Sequence, residues 1–147
     1  MKKKLTESKK LNITIILFII VDVIAIIIGA LYSILGLMPY HRTSLGMSPS
    51  KLNSFNPNIM PFIYIIIRVN GFLFLTIGIN GLIIIYYGIR NKEKWAWIYN
   101  LISFILIPIP LVVLLYNETF AMPFPLALLV LIIWLIALGI SYKEIFG

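Results

Sequence analysis

Apolar residues along the chain fall into four long runs that are separated by shorter polar segments. The runs cover about residues 12–37, 62–89, 95–116 and 124–142. A helix needs about 18 to 20 apolar residues to cross the hydrocarbon core of a bilayer, and each run is long enough. The pattern predicts an all-α membrane protein: four transmembrane helices forming one antiparallel bundle, a single integral membrane domain over residues 1–147.

Composition indicates that lipid, rather than water, surrounds this bundle. Apolar residues make up 61% of the 147 positions and charged residues 12%, and the mean hydropathy is +1.04. A small soluble domain leaves much of its chain facing water, so it cannot bury so large an apolar share. A water-soluble fold is therefore excluded.

The net charge of +7 follows the boundaries of the runs. Nine cationic residues flank the runs on one side: Lys2, Lys3, Lys4, Lys9, Lys10, Arg90, Lys92, Lys94 and Lys143. Two flank them on the other side, Arg42 and Lys51. Lys and Arg accumulate on the cytoplasmic side, so we expect a multi-pass protein of the plasma membrane with both termini in the cytoplasm. This placement gives no indication of a nucleic-acid partner.

Residues 38–61 form the one long connection, and we expect it to be a structured external loop between the first and second spans. Ser48 followed by Pro49 is typical of a helix start, and Asn56 followed by Pro57 of a helix end. The pair of signals predicts a short helix over about residues 49–55. Whether this segment caps the bundle or gates a site stays open.

Polar residues inside the runs are the candidate intramembrane groups: Asp22, Arg68, Asn80 and Ser103. Asp22 lies near the bilayer centre, where an aspartate costs about 3 kcal/mol on insertion. Such a group faces the interior of a bundle by default. An ion pair with Arg68, outward snorkelling of Arg68, and hydrogen bonding of Asp22 to Asn80 or Ser103 are all open, as is the protonation state of Asp22.

Glycines recur along the second run at positions 71, 78, 81 and 88. The spacing places Gly71, Gly78, Gly81 and Gly88 on one helix face. Small residues let helices approach closely in lipid, so we expect this face to be a packing seam. Its partner is the first span, the third span or a second copy of the chain, with packing inside the chain favoured.

In the third run, Pro108 and Pro110 predict a kink.

The external side carries the remaining candidates, His41, Arg42 and Glu118. A catalytic histidine needs an oriented nucleophile, carboxylate or metal, and residues 38–61 hold no acidic residue. The chain has no cysteine and one histidine, which removes thiolate sites and most metal chemistry. We therefore expect no catalytic residue, no metal and no cofactor. We expect Glu118 to form a surface ion pair with His41 or Arg42.

Arg68, Gly71, Gly78, Gly81, Arg90 and the stretch Glu93-Lys94-Trp95-Ala96-Trp97 give the chain a resemblance to a family of small four-span membrane proteins of bacteria and archaea. The resemblance covers the second and third spans, and it implies no chemistry.

Two further families share single features with the chain. It is similar to small multidrug exporters in its four spans and the acidic Asp22, but those proteins use glutamate, are shorter and have terse loops. It is similar to four-span sterol isomerase-like proteins in Asp22 and Trp134, but their acidic pair is missing. The resemblance to multidrug exporters implies an ion-coupled transporter. The resemblance to sterol isomerase-like proteins implies a lipid pocket.

Three functions follow as hypotheses. The first is a small non-catalytic accessory or scaffold subunit of a larger membrane complex, whose partners are membrane lipid and other membrane subunits or further copies of the chain. The second is a homodimeric ion-coupled small-molecule transporter that uses Asp22. The third is a lipid-pocket binding protein or isomerase-like enzyme.

Overall fold

A computed structural model describes residues 8–39, 41, 46–117 and 123–147. These residues form helices and connecting turns, with no strand among them. The helices are α1 (Lys9–Leu35), α2 (Pro49–Phe55), α3 (Ile59–Ile84), α4 (Lys94–Leu106), α5 (Pro108–Asn117) and α6 (Pro123–Phe146), and a π-helical turn over Ile85–Ile89 continues α3.

Four helical segments in the described part of the chain are long and apolar enough to span a membrane, as the hydropathy pattern predicts. They are α1, α3 with the π-helical turn, α4 with α5, and α6. The prediction of an all-helical protein with four such segments is confirmed.

Local signals explain where the first two spans begin and end. The hydroxyl of Ser8 accepts a hydrogen bond from the Lys10 amide at the start of α1. Gly36 ends the helix with a positive φ of 68°, a conformation that glycine adopts without strain. The second span begins at Ile59 rather than near Phe62, because Pro61 lies in the first turn, where a helix needs no amide donor.

The third span is broken at Ile107. Pro108 and Pro110 have no amide hydrogen to donate to the preceding turn, so α4 ends at Leu106 and α5 starts at Pro108. Backbone bonds from Ile107 to Ser103 and from Leu111 to Ile107 hold the two helices together across the break.

The helices lie in a row rather than in a closed square. α1 packs between α3 and α6, and α6 packs between α1 and the α4–α5 pair. The second span contacts the third chiefly through the π-helical turn. α1 and α3 have the longest connection between them and form the most extensive contact. The second and third spans are joined by a short turn and meet near that turn.

Two apolar cores follow from this order. The larger one joins all four spans near the basic end of the bundle, defined by Lys9, Lys10, Arg90, Lys92, Lys94 and Lys143. Its centre includes Phe18 of α1, Ile89 of the π-helical turn and Ala137 of α6. The smaller core, at the opposite end, holds Leu37, Met60 and Ile67 under α2.

Contacts at the basic end fix the turn between the second and third spans to α6. The Lys92 ammonium lies 3.6 Å from a carboxylate oxygen of Glu144, and the Lys94 ammonium lies 5.5 Å from the centre of the Phe146 ring. The indole N–H of Trp97 donates to the carbonyl of Leu138 at 3.2 Å.

We expect Gly78→Ala to destabilise the fold, because a Cβ atom at Gly78 would lie 2.6 Å from the main-chain oxygen of Asp22. Forcing α1 and α3 apart costs about 1 to 3 kcal/mol, as overpacking does elsewhere. The melting temperature in detergent measures the effect. Gly139→Ala is the matched control, since a Cβ there meets nothing within 4 Å, and an equal loss in both variants would contradict the prediction.

Candidate functional site

The glycines of α3 lie against α1 and let the two backbones approach. A Cβ atom at Gly71 would lie 2.6 Å from the main-chain nitrogen of Ser33, and one at Gly29 would lie 2.7 Å from the main-chain oxygen of Gly71. Gly88 lies instead against Ala96 and the Trp95 ring of α4. Three of the predicted seam residues, Gly71, Gly78 and Gly81, thus face the first span, and Gly88 faces the third.

Asp22 lies at the middle of this α1–α3 contact. The residue is 7% exposed, and its side chain faces Gly81 so closely that a Cβ atom there would overlap the carboxyl group. Its main-chain oxygen faces Gly78. The missing side chain of Gly81 therefore provides the space that the carboxyl group occupies.

The Asp22 carboxyl group has no hydrogen bond or ion pair with any residue that the structure describes. Arg68, the nearest cation predicted from the sequence, is exposed on the outside of the bundle. It precedes Gly78 by ten residues, which is about 15 Å along the helix axis. The structure does not bring Arg68 to Asp22.

The two neutral candidates also lie away from the carboxyl group. Asn80 is exposed and points away from α1, the long helix that packs most extensively on α3 among the described residues. Ser103 is half-buried on α4, which packs on α6 rather than on α1. Of the four intramembrane candidates, only Asp22 lies inside the α1–α3 contact.

Asn80 belongs to a stripe of outward residues that the sequence analysis missed. The stripe, here called the outward stripe, repeats at alternating spacings of four and three and consists of Val69, Leu73, Thr76, Asn80, Ile83 and Tyr87. Its Val, Leu, Ile and Tyr members are 50% to 63% exposed. The glycine seam has the same spacing on the opposite face, so α3 carries two packing faces and α1 covers one.

His41 is held close to the end of α1. Its ring Nδ1 accepts a hydrogen bond from the Met38 amide at 3.0 Å, and its own amide donates to the Met38 carbonyl at 3.0 Å. The ring centre lies 5.3 Å from that of Tyr32. Burial lowers the pKa of His41 below its ordinary 6.5. Arg42 and Glu118, the remaining residues of the predicted surface ion pair, lie outside the described residues.

Buried polar groups in the larger core were not predicted as candidates. The Ser141 hydroxyl donates to the Ala137 carbonyl at 2.7 Å, and the side-chain amide of Asn100 donates to the Ala96 carbonyl at 2.9 Å. Thr14 Oγ1 and Trp134 Nε1 are buried with no hydrogen-bond partner in the described part of the chain. Trp134 packs against Phe104, whereas Asp22 faces α3, so no described contact joins the two residues of the lipid-pocket hypothesis.

Within the described ranges, no three His, Cys, Asp or Glu side chains lie together in a way that could hold a metal ion.

Comparison with protein-family models, with curated proteins and with solved structures finds no match to this chain.

Acidification should loosen the turn at His41. Nδ1 must be unprotonated to accept the Met38 bond, and the lowered pKa means that the unfolded chain takes up a proton at a higher pH than the folded chain. The contribution to stability is therefore complete above pH 6.5 and is lost as the pH falls toward the folded-state pKa.

We expect the melting temperature of the native chain to approach that of His41→Gln as the pH falls from about 7.5 to 5, a loss worth about one hydrogen bond, or about 1 kcal/mol. His41 is the only histidine, so the difference between the two proteins isolates its titration. A difference that stays constant with pH would contradict the prediction.

Proposed function

We propose that the chain is a small non-catalytic integral membrane protein that serves as an accessory or scaffold subunit of a larger membrane complex. The observation that carries the proposal is the outward stripe of α3, which presents Asn80 and Thr76 at the surface of a membrane span. This stripe lies opposite the face that α1 covers.

Lipid is a poor partner for this face. A carboxamide has two N–H donors and a carbonyl acceptor, and hydrocarbon chains satisfy none of them. Polar side chains on spanning helices are therefore usually found against another helix. An exposed Asn80 within the second span favours a neighbouring transmembrane helix over lipid.

The second span is also the least enclosed. In its apolar segment 11% of residues are buried within the chain, against 28% in the first and fourth spans. A row of helices leaves its terminal member with one covered side, and α3 is at one end of this row. The row architecture therefore supports lateral assembly through α3.

The orientation belongs to the same proposal. The basic end contains the start of α1 at Lys9 and the end of α6 at Phe146, so the first and last described helices begin and end on the side that is rich in Lys and Arg. Such residues are retained in the cytoplasm. We place the termini in the cytoplasm of a cell whose plasma membrane holds the protein.

Native mass spectrometry of the chain, extracted gently from its own membrane, tests the proposal. We expect the chain in an assembly that contains further copies of it or other membrane subunits, and we expect Asn80→Leu to disrupt the contact made through the outward stripe while leaving the melting temperature unchanged. Asn100→Leu is a contrasting variant, because Asn100 is buried inside the chain and its loss should lower the melting temperature first. A solitary chain under these conditions would contradict the proposal.

A second candidate, an ion-coupled small-molecule transporter, is favoured by one observation. Asp22 is a buried carboxyl group within the first span and has no bonding partner in the described part of the chain. Ionisable groups in this setting often bind protons or cations during transport. The transporter would use Asp22 as the coupling site.

Uptake of tetraphenylphosphonium by vesicles containing the purified chain, driven by a pH gradient, tests this candidate. Asp22→Asn keeps the side-chain shape but removes the ionisable group, so it should abolish the uptake. Ser103→Ala should leave it unchanged, because Ser103 lies on a helix that does not pack against α1. Equal uptake by native chain and Asp22→Asn, or none by either, would eliminate the candidate.

A further inference from the structure

We infer that the outward stripe of α3 is the interface between two copies of this chain, with the Asn80 carboxamides hydrogen-bonded to each other across a two-fold axis. The inference rests on the proposed function, since it names the partner that the stripe takes.

Asn80 lies deep in the membrane. It sits on the same turns of α3 as Gly78 and Gly81, which contact Asp22 of α1. It precedes the end of the span at Ile89 by nine residues, or about 14 Å, close to half the thickness of a hydrocarbon core of about 30 Å. At this depth, the carboxamide has no access to water or to lipid headgroups.

Asn80 is also the group on this face that still requires a partner. The Thr76 hydroxyl, one turn earlier, donates to the Phe72 carbonyl of its own helix at 2.9 Å. The Asn80 carboxamide has no hydrogen bond with any described residue. The other members of the outward stripe are apolar or, in the case of Tyr87, near the basic end.

The chemistry of asparagine favours a second copy as the partner. Copies inserted with the same orientation pair in parallel about an axis normal to the membrane, so equivalent residues meet near that axis. A carboxamide is both donor and acceptor, so two Asn80 side chains satisfy each other reciprocally. A single asparagine within an apolar seam also fixes the register of a parallel helix pair.

The remaining geometry is compatible with such a pair. Alternating spacings of four and three describe the seam of two helices that wind around each other in a left-handed sense. Arg68 lies about 120° around the helix from Asn80, because successive residues are separated by about 100°. Pairing through the outward stripe therefore does not bring the two Arg68 cations together.

Disulfide cross-linking of the purified full chain tests the interface directly, because the native sequence contains no cysteine. Leu73→Cys and Val69→Cys place one thiol each on the outward stripe, within about 20° of Asn80 around the helix. Phe72→Cys and Ile79→Cys are matched controls, since both positions are on α3 and similarly exposed but lie about 80° to 100° from Asn80 around the helix. The proteins are oxidised in vesicles of phosphatidylcholine with a minor share of phosphatidylglycerol.

We expect disulfide-linked dimers from the two stripe positions and none above background from the two controls, because a disulfide requires Cα atoms within about 7 Å. Adding Asn80→Leu to Leu73→Cys should lower the association constant about 3- to 30-fold, the range that interhelical hydrogen bonds in membranes support. Asn80→Gln should retain most of the cross-linking. Unchanged melting temperatures exclude misfolding as the cause of any loss.

Three results would overturn the inference: no cross-linking at the stripe positions, equal cross-linking at Phe72→Cys and Ile79→Cys, or cross-linking at Leu73→Cys that Asn80→Leu leaves unchanged. If the purified chain fails to dimerise but Leu73→Cys forms a disulfide with a different protein in native membranes, self-association is wrong while the accessory role stands. If neither occurs, both are wrong.

Discussion

The backbones of α1 and α3 come into direct contact where glycines replace larger side chains. Hydrophobic residues gain little by leaving lipid for each other, so helices in a membrane associate through tight packing and polar contacts. Gly29, Gly71 and Gly78 supply this packing, because each brings the backbone of one helix against that of the other. The long connection between these spans tolerates the pairing, whereas a short turn joins the second span to the third at the basic end.

The same contact explains how an aspartate is accommodated within the first span. Gly81 leaves a space of about one side chain, and the Asp22 carboxyl group fills it. Burial of a carboxyl group is costly in a bundle of apolar residues, and here the surrounding backbone reduces its exposure without supplying a charged partner. The Asp22 carboxyl group therefore needs the space that the missing side chain of Gly81 leaves. In this position it is separated from Arg68 and Asn80, which are both exposed.

One helix with two packing faces also relates the fold to the proposed assembly. The glycine seam of α3 is occupied by α1, and the outward stripe lies on the other side of the same helix. A row of helices, unlike a closed bundle, leaves its end member with a whole side for another chain. The contacts of Lys92 and Lys94 with α6 hold the turn between the second and third spans against the fourth span.

The lengths of the apolar runs indicate the four spanning helices, and the missing amide hydrogens of Pro108 and Pro110 indicate the break in the third span, because both are local properties of the chain. The sequence also shows the spacing of the glycines in the second span, but it does not show which span packs against them. Tertiary packing places Asp22 against Gly81, leaves Arg68 and Asn80 exposed, and holds Ser103 on a helix that packs on α6. The order of helices in the row depends on contacts between distant segments, and a helical periodicity identifies a face without identifying its neighbour.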